Sequence, residues 1–136
     1  MSNDLPARGD FDSTPCNRWL GFQLTQRSAE RVEVTQAVRE EMLQETGVVQ
    51  GGLLTALADT AAVYLIWDSL DSDHTITGTT ISMQFLAAAL PDRGELRAIA
   101  EPLRVGRTVA VCESSVHQGD RLVAKGTFTF LLRQKR

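Results

Sequence analysis

The stretch Val48–Trp67, VVQGGLLTALADTAAVYLIW, decides how the rest of the chain is read. Gly51 and Gly52 open it, small and apolar residues fill it, and Asp59 is its one carboxylate. A run that is apolar nearly all round is a helix covered on most of its sides. It is about long enough to cross a bilayer, for which roughly 20 apolar residues suffice. Gln50, Thr55, Asp59 and Thr60 interrupt it, however, and an unpartnered central carboxylate is costly in lipid. The expectation is a helix over Gly51–Leu70, buried inside a globular protein rather than in a membrane.

Working outward, the polar tract DSLDSDHT, residues 68–75, ends that helix. Strand-like runs follow at Thr75–Leu86, Glu95–Leu103, Thr108–His117 and Leu122–Leu132, with turns at Pro91–Gly94, Arg104–Arg107 and Gln118–Asp120. TVAVCESSV and VAKGTFTFLL are β-branched and aromatic and alternate as strands do. Upstream, Phe22–Arg27 and Arg31–Ala37 alternate well enough to pair across a turn at Ser28–Glu30, and Glu40–Val49 reads as a connecting loop. Residues 1–15 are polar and rich in turn formers, and are expected to be disordered ahead of a single domain over 16–136, with a short helical turn near Asn17–Leu20. The economical arrangement is α+β, an antiparallel sheet curled around one long helix. One small sheet supplies too little cover for a helix apolar on nearly all faces, so a second copy of the chain is expected.

The chain's 136 residues are enough for one domain with a real core. Its net charge of −3 argues against general nucleic-acid binding, which needs a basic face. No apolar leader follows Met1, and Cys16 and Cys112 match no CxxC or zinc spacing, so two reduced thiols in a cytoplasmic protein are expected.

Asp59 invites a choice. An interior helical Asp usually faces solvent or bonds a neighbouring hydroxyl, here Thr55 or Thr60. One turn away stand Ala56, Ala62 and Val63, which offer it no wet face. A buried unpaired carboxylate is expensive and is retained mainly where it has chemical work. Gly51-Gly52 can be a loop that needs unusual dihedrals, or a helix N-terminus whose free N–H groups hold a carbonyl oxygen or oxyanion. Together with one carboxylate on an apolar helix, the pair points to acyl chemistry.

Other constellations fail. The chain has no GxSxG elbow, no phosphate loop and no GxGxxG. His74 lies among Asp71 and Asp73 without calcium-loop spacing, and His117 flanks a turn, so neither a metal nor a cofactor is expected. The run LRVGRT, Leu103–Thr108, reads equally as an exposed hairpin turn or as two guanidiniums beside a glycine that grip phosphates.

These residues resemble a known family. QGGLLTALADTAA is similar to the helix motif of the hotdog-fold acyl-CoA thioesterases, in their phenylacetate-degradation (PaaI-like) branch. TTISMQFLAAA resembles that family's next strand, and LRVGRTVAVCESSVHQGDRLVAKGTFTFLL its closing hairpin. A Gln or Asn lies seven residues before the first helix glycine in the family, and here that is Gln44; the acid lies eight after it, and here that is Asp59. The resemblance implies a hotdog fold and hydrolysis of a CoA thioester. Asp59 would attack the thioester carbon or activate water, the Gly51 N–H would polarise the carbonyl, and Gln44 would position substrate or water. Gln50, Gly52 and Thr60 would border the substrate, and Arg104, Gly106 and Arg107 would lie at the CoA phosphates. It also implies a homodimer, or a dimer of dimers, with no cofactor, nucleic acid or membrane as partner. Two departures stand out: the family's usual histidine before the glycines is Gln50, and its Arg-Pro after the strand is Ala87-Ala88. A non-catalytic acyl-CoA-binding relative is the rival reading; Asp59 favours the enzyme, Gln50 the binder. A hotdog hydratase needs a His-plus-acid pair that neither His74 nor His117 is placed to supply.

Overall fold

A computed structural model describes residues 10–134. Helix α1 (Pro15–Leu20) leads into strands β1 (Phe22–Arg27) and β2 (Val32–Gln36), and a 3-10 turn (Glu40–Met42) precedes helix α2 (Gly51–Asp68). Strands β3 (His74–Phe85), β4 (Leu96–Val105), β5 (Val109–Gln118) and β6 (Arg121–Gln134) complete the chain. They form one antiparallel six-stranded sheet in the order β1-β2-β4-β5-β6-β3. This is the hotdog arrangement, a curled sheet with one long helix along its concave side.

Alternation makes the core. On β5 the buried residues Ala110, Cys112, Ser114, Val116 and Gln118 point to one face, and β6 does the same with Ala124, Gly126, Phe128, Phe130 and Leu132. Leu57, Ala58, Ala61 and Leu65 of α2 are fully buried against that face. Burying each leucine contributes about 1.5–3 kcal/mol, and the alanines let helix and sheet approach closely. At Gly126 a Cβ would collide with the Ser82 carbonyl oxygen and the Met83 sulfur of β3, so only glycine lets β3 and β6 pair there.

The helix expected over Gly51–Leu70 ends at Asp68, where the Ser69 N–H bonds back to Ile66 O and the Leu70 N–H to Trp67 O. The loop expected over Glu40–Val49 holds the 3-10 turn and a bridge between Leu43 and Val49. Most of the segment expected to be disordered lies outside the described residues. Its described part packs: Phe11 is buried with its ring centroid 4.9 Å from that of Tyr64, whose hydroxyl accepts from Asn17 at 3.2 Å. Cys112 is a buried free thiol and Cys16 an exposed one.

α2 is covered on most of its sides, as expected, but one point needs correction: within the single chain Asp59 does have a partly wet face. Gly52 is exposed, and Thr55, Ala56, Asp59, Thr60, Val63 and Trp67 are only half-buried, at the spacing of a single helix stripe. The sheet lies under α2 mainly through β2, β4 and β5 and touches it little through β3. β3 is also the edge strand of the sheet, and its helix-side residues Ile81 and Phe85 remain 47% and 56% exposed. No described helix is long and apolar enough to cross a membrane.

Candidate active site

The open stripe of α2 carries the candidate residues Gly52, Asp59 and Thr60. At its start Gln50 caps the helix without a side-chain hydrogen bond, and Gly51 and Gly52 N–H have no backbone acceptor among the described residues. Such free donors, at the positive end of the helix dipole, are ready to hold an oxyanion. The approach is pinned from two directions: Gln50 N–H donates to Met42 O, and Val49 N–H to Ala89 O, both at 2.9 Å. A Cβ on Gly51 would stand 3.2 Å from the Phe85 ring, and one on Gly52 only 2.8 Å from Gln50 Oε1. The amide that replaces the family's histidine thus folds back over Gly52.

Asp59 lies two turns further along. Burial raises its carboxyl above the usual carboxylate range. Neither Thr55 nor Thr60 partners it: Thr55 Oγ1 donates to Gly51 O at 3.2 Å and Thr60 Oγ1 to Ala56 O at 2.8 Å. Asp59 makes no hydrogen bond or ion pair among the described residues. Its charge is nevertheless felt in the sheet. The Cys112 thiol on β5 is pushed up to about 12, first by burial and then by Asp59.

Other candidates sit further off. Gln44 is exposed in the loop before α2, where its Oε1 accepts from the Thr46 N–H at 2.6 Å and hydroxyl at 2.9 Å. Its amide NH2 stays available as a donor. Arg104, Gly106 and Arg107 form the β4–β5 turn, closed by Gly106 N–H to Val109 O at 2.9 Å. A Cβ at Gly106 would stand 3.0 Å from that same carbonyl oxygen, so the turn favours glycine. Neither arginine forms an ion pair among the described residues. The turn belongs to the sheet end where Val109 and Thr77 flank Leu131, whereas Gly51 sits at the other end beside Phe85. A single chain does not bring them together.

The histidines stay apart from this stripe. His74 Nδ1 pairs with Asp71 Oδ1 at 2.7 Å. His117 Nε2 lies 3.1 Å from Ser115 Oγ on the outer face of the sheet, and burial, then Arg97, Lys125 and Arg31, lower its pKa. No group of three or more His, Cys, Asp and Glu residues able to hold a metal occurs among the described residues. Phe85, whose ring borders Gly51, is the neighbour of the candidate residues that sequence reasoning missed. Its place in the alternation Ile81-Met83-Phe85 marks a face, but nothing local says that the face is left open.

Known proteins share the family profile and the fold. The sequence profile of the Thioesterase superfamily matches residues 46–129. A Bacillus subtilis protein named "Putative esterase ComA2" is 30% identical over 119 residues, covering 85% of this chain and 92% of its own. The crystal structure of AziG from S. sahachiroi is similar at 27% identity and a TM-score of 0.85, covering 89% of this chain and 98% of its own. The E. coli PaaI protein of the phenylacetic acid degradation operon shares the fold at 22% identity and a TM-score of 0.82, over 92% of this chain and 88% of its own.

Proposed function

The chain belongs to the thioesterase superfamily, and from that membership we propose that it is an acyl-CoA thioesterase whose smallest active unit is a homodimer. The observation that carries this reading is the unpartnered, half-buried Asp59 on the same open stripe as the free N–H groups of Gly51 and Gly52. A carboxylate with a raised pKa is a better base, or a carboxylate nucleophile with little solvation to shed. It attacks the thioester carbon, forming an acyl–Asp59 anhydride that water then hydrolyses to the free acid, or it takes a proton from a water that attacks the carbon directly. The carbonyl oxygen gains negative charge and is held by the Gly51 N–H, and the C–S bond breaks to release CoA thiolate, which takes up a proton. Gln44 offers its amide NH2 to the substrate or water, while Gln50, Gly52 and Thr60 border the ester. Arg104 and Arg107, on a turn that Gly106 permits, bind the CoA phosphates.

Geometry supports the dimer. Gly51 and Asp59 lie on one helix, eight residues apart, so they are separated by about 12 Å along its axis. Oxyanion donor and carboxylate must both come within about 3 Å of one reacting group. Each site therefore pairs Gly51 of one subunit with the carboxylate of the other. The free edge of β3 and its exposed Ile81 and Phe85 are the surface a second copy would cover.

The test is release of free thiol from a panel of acyl-CoA esters by the wild type and by Asp59→Asn. Turnover that the variant loses supports the reading, and equal turnover refutes the role of Asp59. Tight acyl-CoA binding without turnover in the wild type would establish the binding protein instead.

A further inference from the structure

We propose that Gln118, at the end of β5, is a positioning residue for the reaction: it fixes the Gly51 N–H by clamping the segment on which the start of α2 rests. The inference rests on the thioesterase reading, in which that N–H holds the carbonyl oxygen. The chain reaches Gly51 through residues 43–50, whose other backbone bonds stay within residues 40–50. Among the described residues, Val49 N–H to Ala89 O, at 2.9 Å, is the one backbone hydrogen bond that ties this approach to another part of the chain. Where Ala89 sits therefore decides where Val49 sits and, two residues later, the Gly51 N–H.

Ala89 lies in the connection from β3 to β4, residues 86–95, which is pinned on both sides of it. Before it, the Leu86 and Ala87 N–H groups both donate to Val123 O, at 2.8 and 3.2 Å. After it, Gln118 takes hold. Its Oε1 accepts from the Leu90 N–H at 2.9 Å, and its Nε2 donates to Leu90 O at 2.6 Å and to Gly94 O at 2.9 Å. Gln118 is 4% exposed, so its polar atoms must find partners inside the protein. They meet one donor and two acceptors, a set that an amide matches and a carboxylate, which has no donor, does not. Ala87 and Ala88 lend the stretch ahead of Ala89 no stiffness such as a proline would give, so the clamp supplies it. With the amide gone, Leu90 and its neighbour Ala89 are free to shift, and a reacting group misplaced by about 1 Å costs roughly a hundredfold in rate.

Gln118→Ala and the isosteric Gln118→Glu test this in acyl-CoA hydrolysis, with rates expressed per folded molecule. Gln118→Ala should lower kcat about ten- to a hundredfold with KM little changed, because the displaced donor acts in the transition state. Gln118→Glu should be impaired at neutral pH, where an ionised carboxyl confronts two carbonyl oxygens. Its kcat relative to wild type should rise as the pH falls, because the protonated carboxyl regains a donor. Amide hydrogen exchange gives a readout that needs no substrate. Val49 should exchange roughly tenfold faster in Gln118→Ala, the effect of about one weakened hydrogen bond, while Leu57 and Leu65 keep their protection. A merely structural Gln118 would lower the melting temperature of both variants and leave kcat per folded molecule and its pH profile unchanged. That result overturns the proposal, and so does unchanged exchange at Val49. If the wild type cleaves no thioester, the thioesterase reading fails and the positioning role with it, while the exchange still decides whether Gln118 holds the helix start.

Discussion

The two long sides of α2 are both largely small or apolar and differ in how far the chain covers them. The sheet-facing side, Leu57, Ala58, Ala61 and Leu65, is fully buried and holds helix to sheet. The open stripe, Gly52, Ala56, Asp59, Thr60, Val63 and Trp67, is half-covered and holds the one carboxylate. The difference teaches that apolar character alone does not identify a core. On the first side it is satisfied within the chain; on the second it is left partly open.

The sharpest way to break that contrast is to substitute once on each side. Asp59→Asn should lower turnover at least about a hundredfold, the low end for a lost acid–base group, with folding retained. Leu57→Ala should instead cost about 2–5 kcal/mol of stability in a chemical denaturation curve, with activity per folded molecule retained. An Asp59→Asn variant that unfolds, or a Leu57→Ala variant that is stable but dead, would erase the distinction between the two sides.

Mixing dead variants sharpens it next. Gly51→Pro removes the donor N–H near a helix start, where proline is tolerated, and Asp59→Asn removes the carboxylate. Refolded together in equal amounts, half the dimers should be hybrids with one intact site of two, which restores roughly a quarter of the activity. Hybrids shown to form yet inactive would put both groups in one chain's site.

A smaller effect is expected at the β4–β5 turn. Arg104→Ala with Arg107→Ala should raise KM for acyl-CoA with kcat little changed. The deficit should narrow at high salt, where the wild-type contact is already screened. Short thioesters lacking the nucleotide should be cleaved equally by both forms; an equal loss on them would make the arginines structural.

The least effect concerns stability against pH. Burial raises the Asp59 pKa in the folded chain, so the folded state holds its proton longer than the unfolded one. Its contribution to stability therefore falls as pH rises through the unfolded value, about 3.8, and is fully unfavourable above the folded pKa. Asp59→Asn should accordingly melt slightly higher than wild type at neutral pH, with the gain vanishing below about pH 3.8. A gain that persists in acid would place its cause elsewhere.

Local pattern made much of this protein legible. β1 was readable to the residue as Phe22–Arg27, and the start of α2 at Gly51, because alternation, helical period and glycine punctuation are properties of neighbouring residues. Asp59 stood out because a lone charge in an apolar run contradicts its surroundings. The thioesterase resemblance rested on the same local spacings, and the match over residues 46–129 shows that family.

The sequence by itself thus determined the elements, their faces and the residues with unusual chemistry. Only the tertiary structure decided which face stays open, that Phe85 leans on Gly51, that Cys112 lies within reach of the Asp59 charge, and that the arginine turn sits at the far end of the sheet. Periodicity tells which side of an element is apolar. What covers that side depends on strand order, and β3 pairs with β6, more than 35 residues later in the chain, which leaves it at the edge. No window of neighbouring residues contains that pairing.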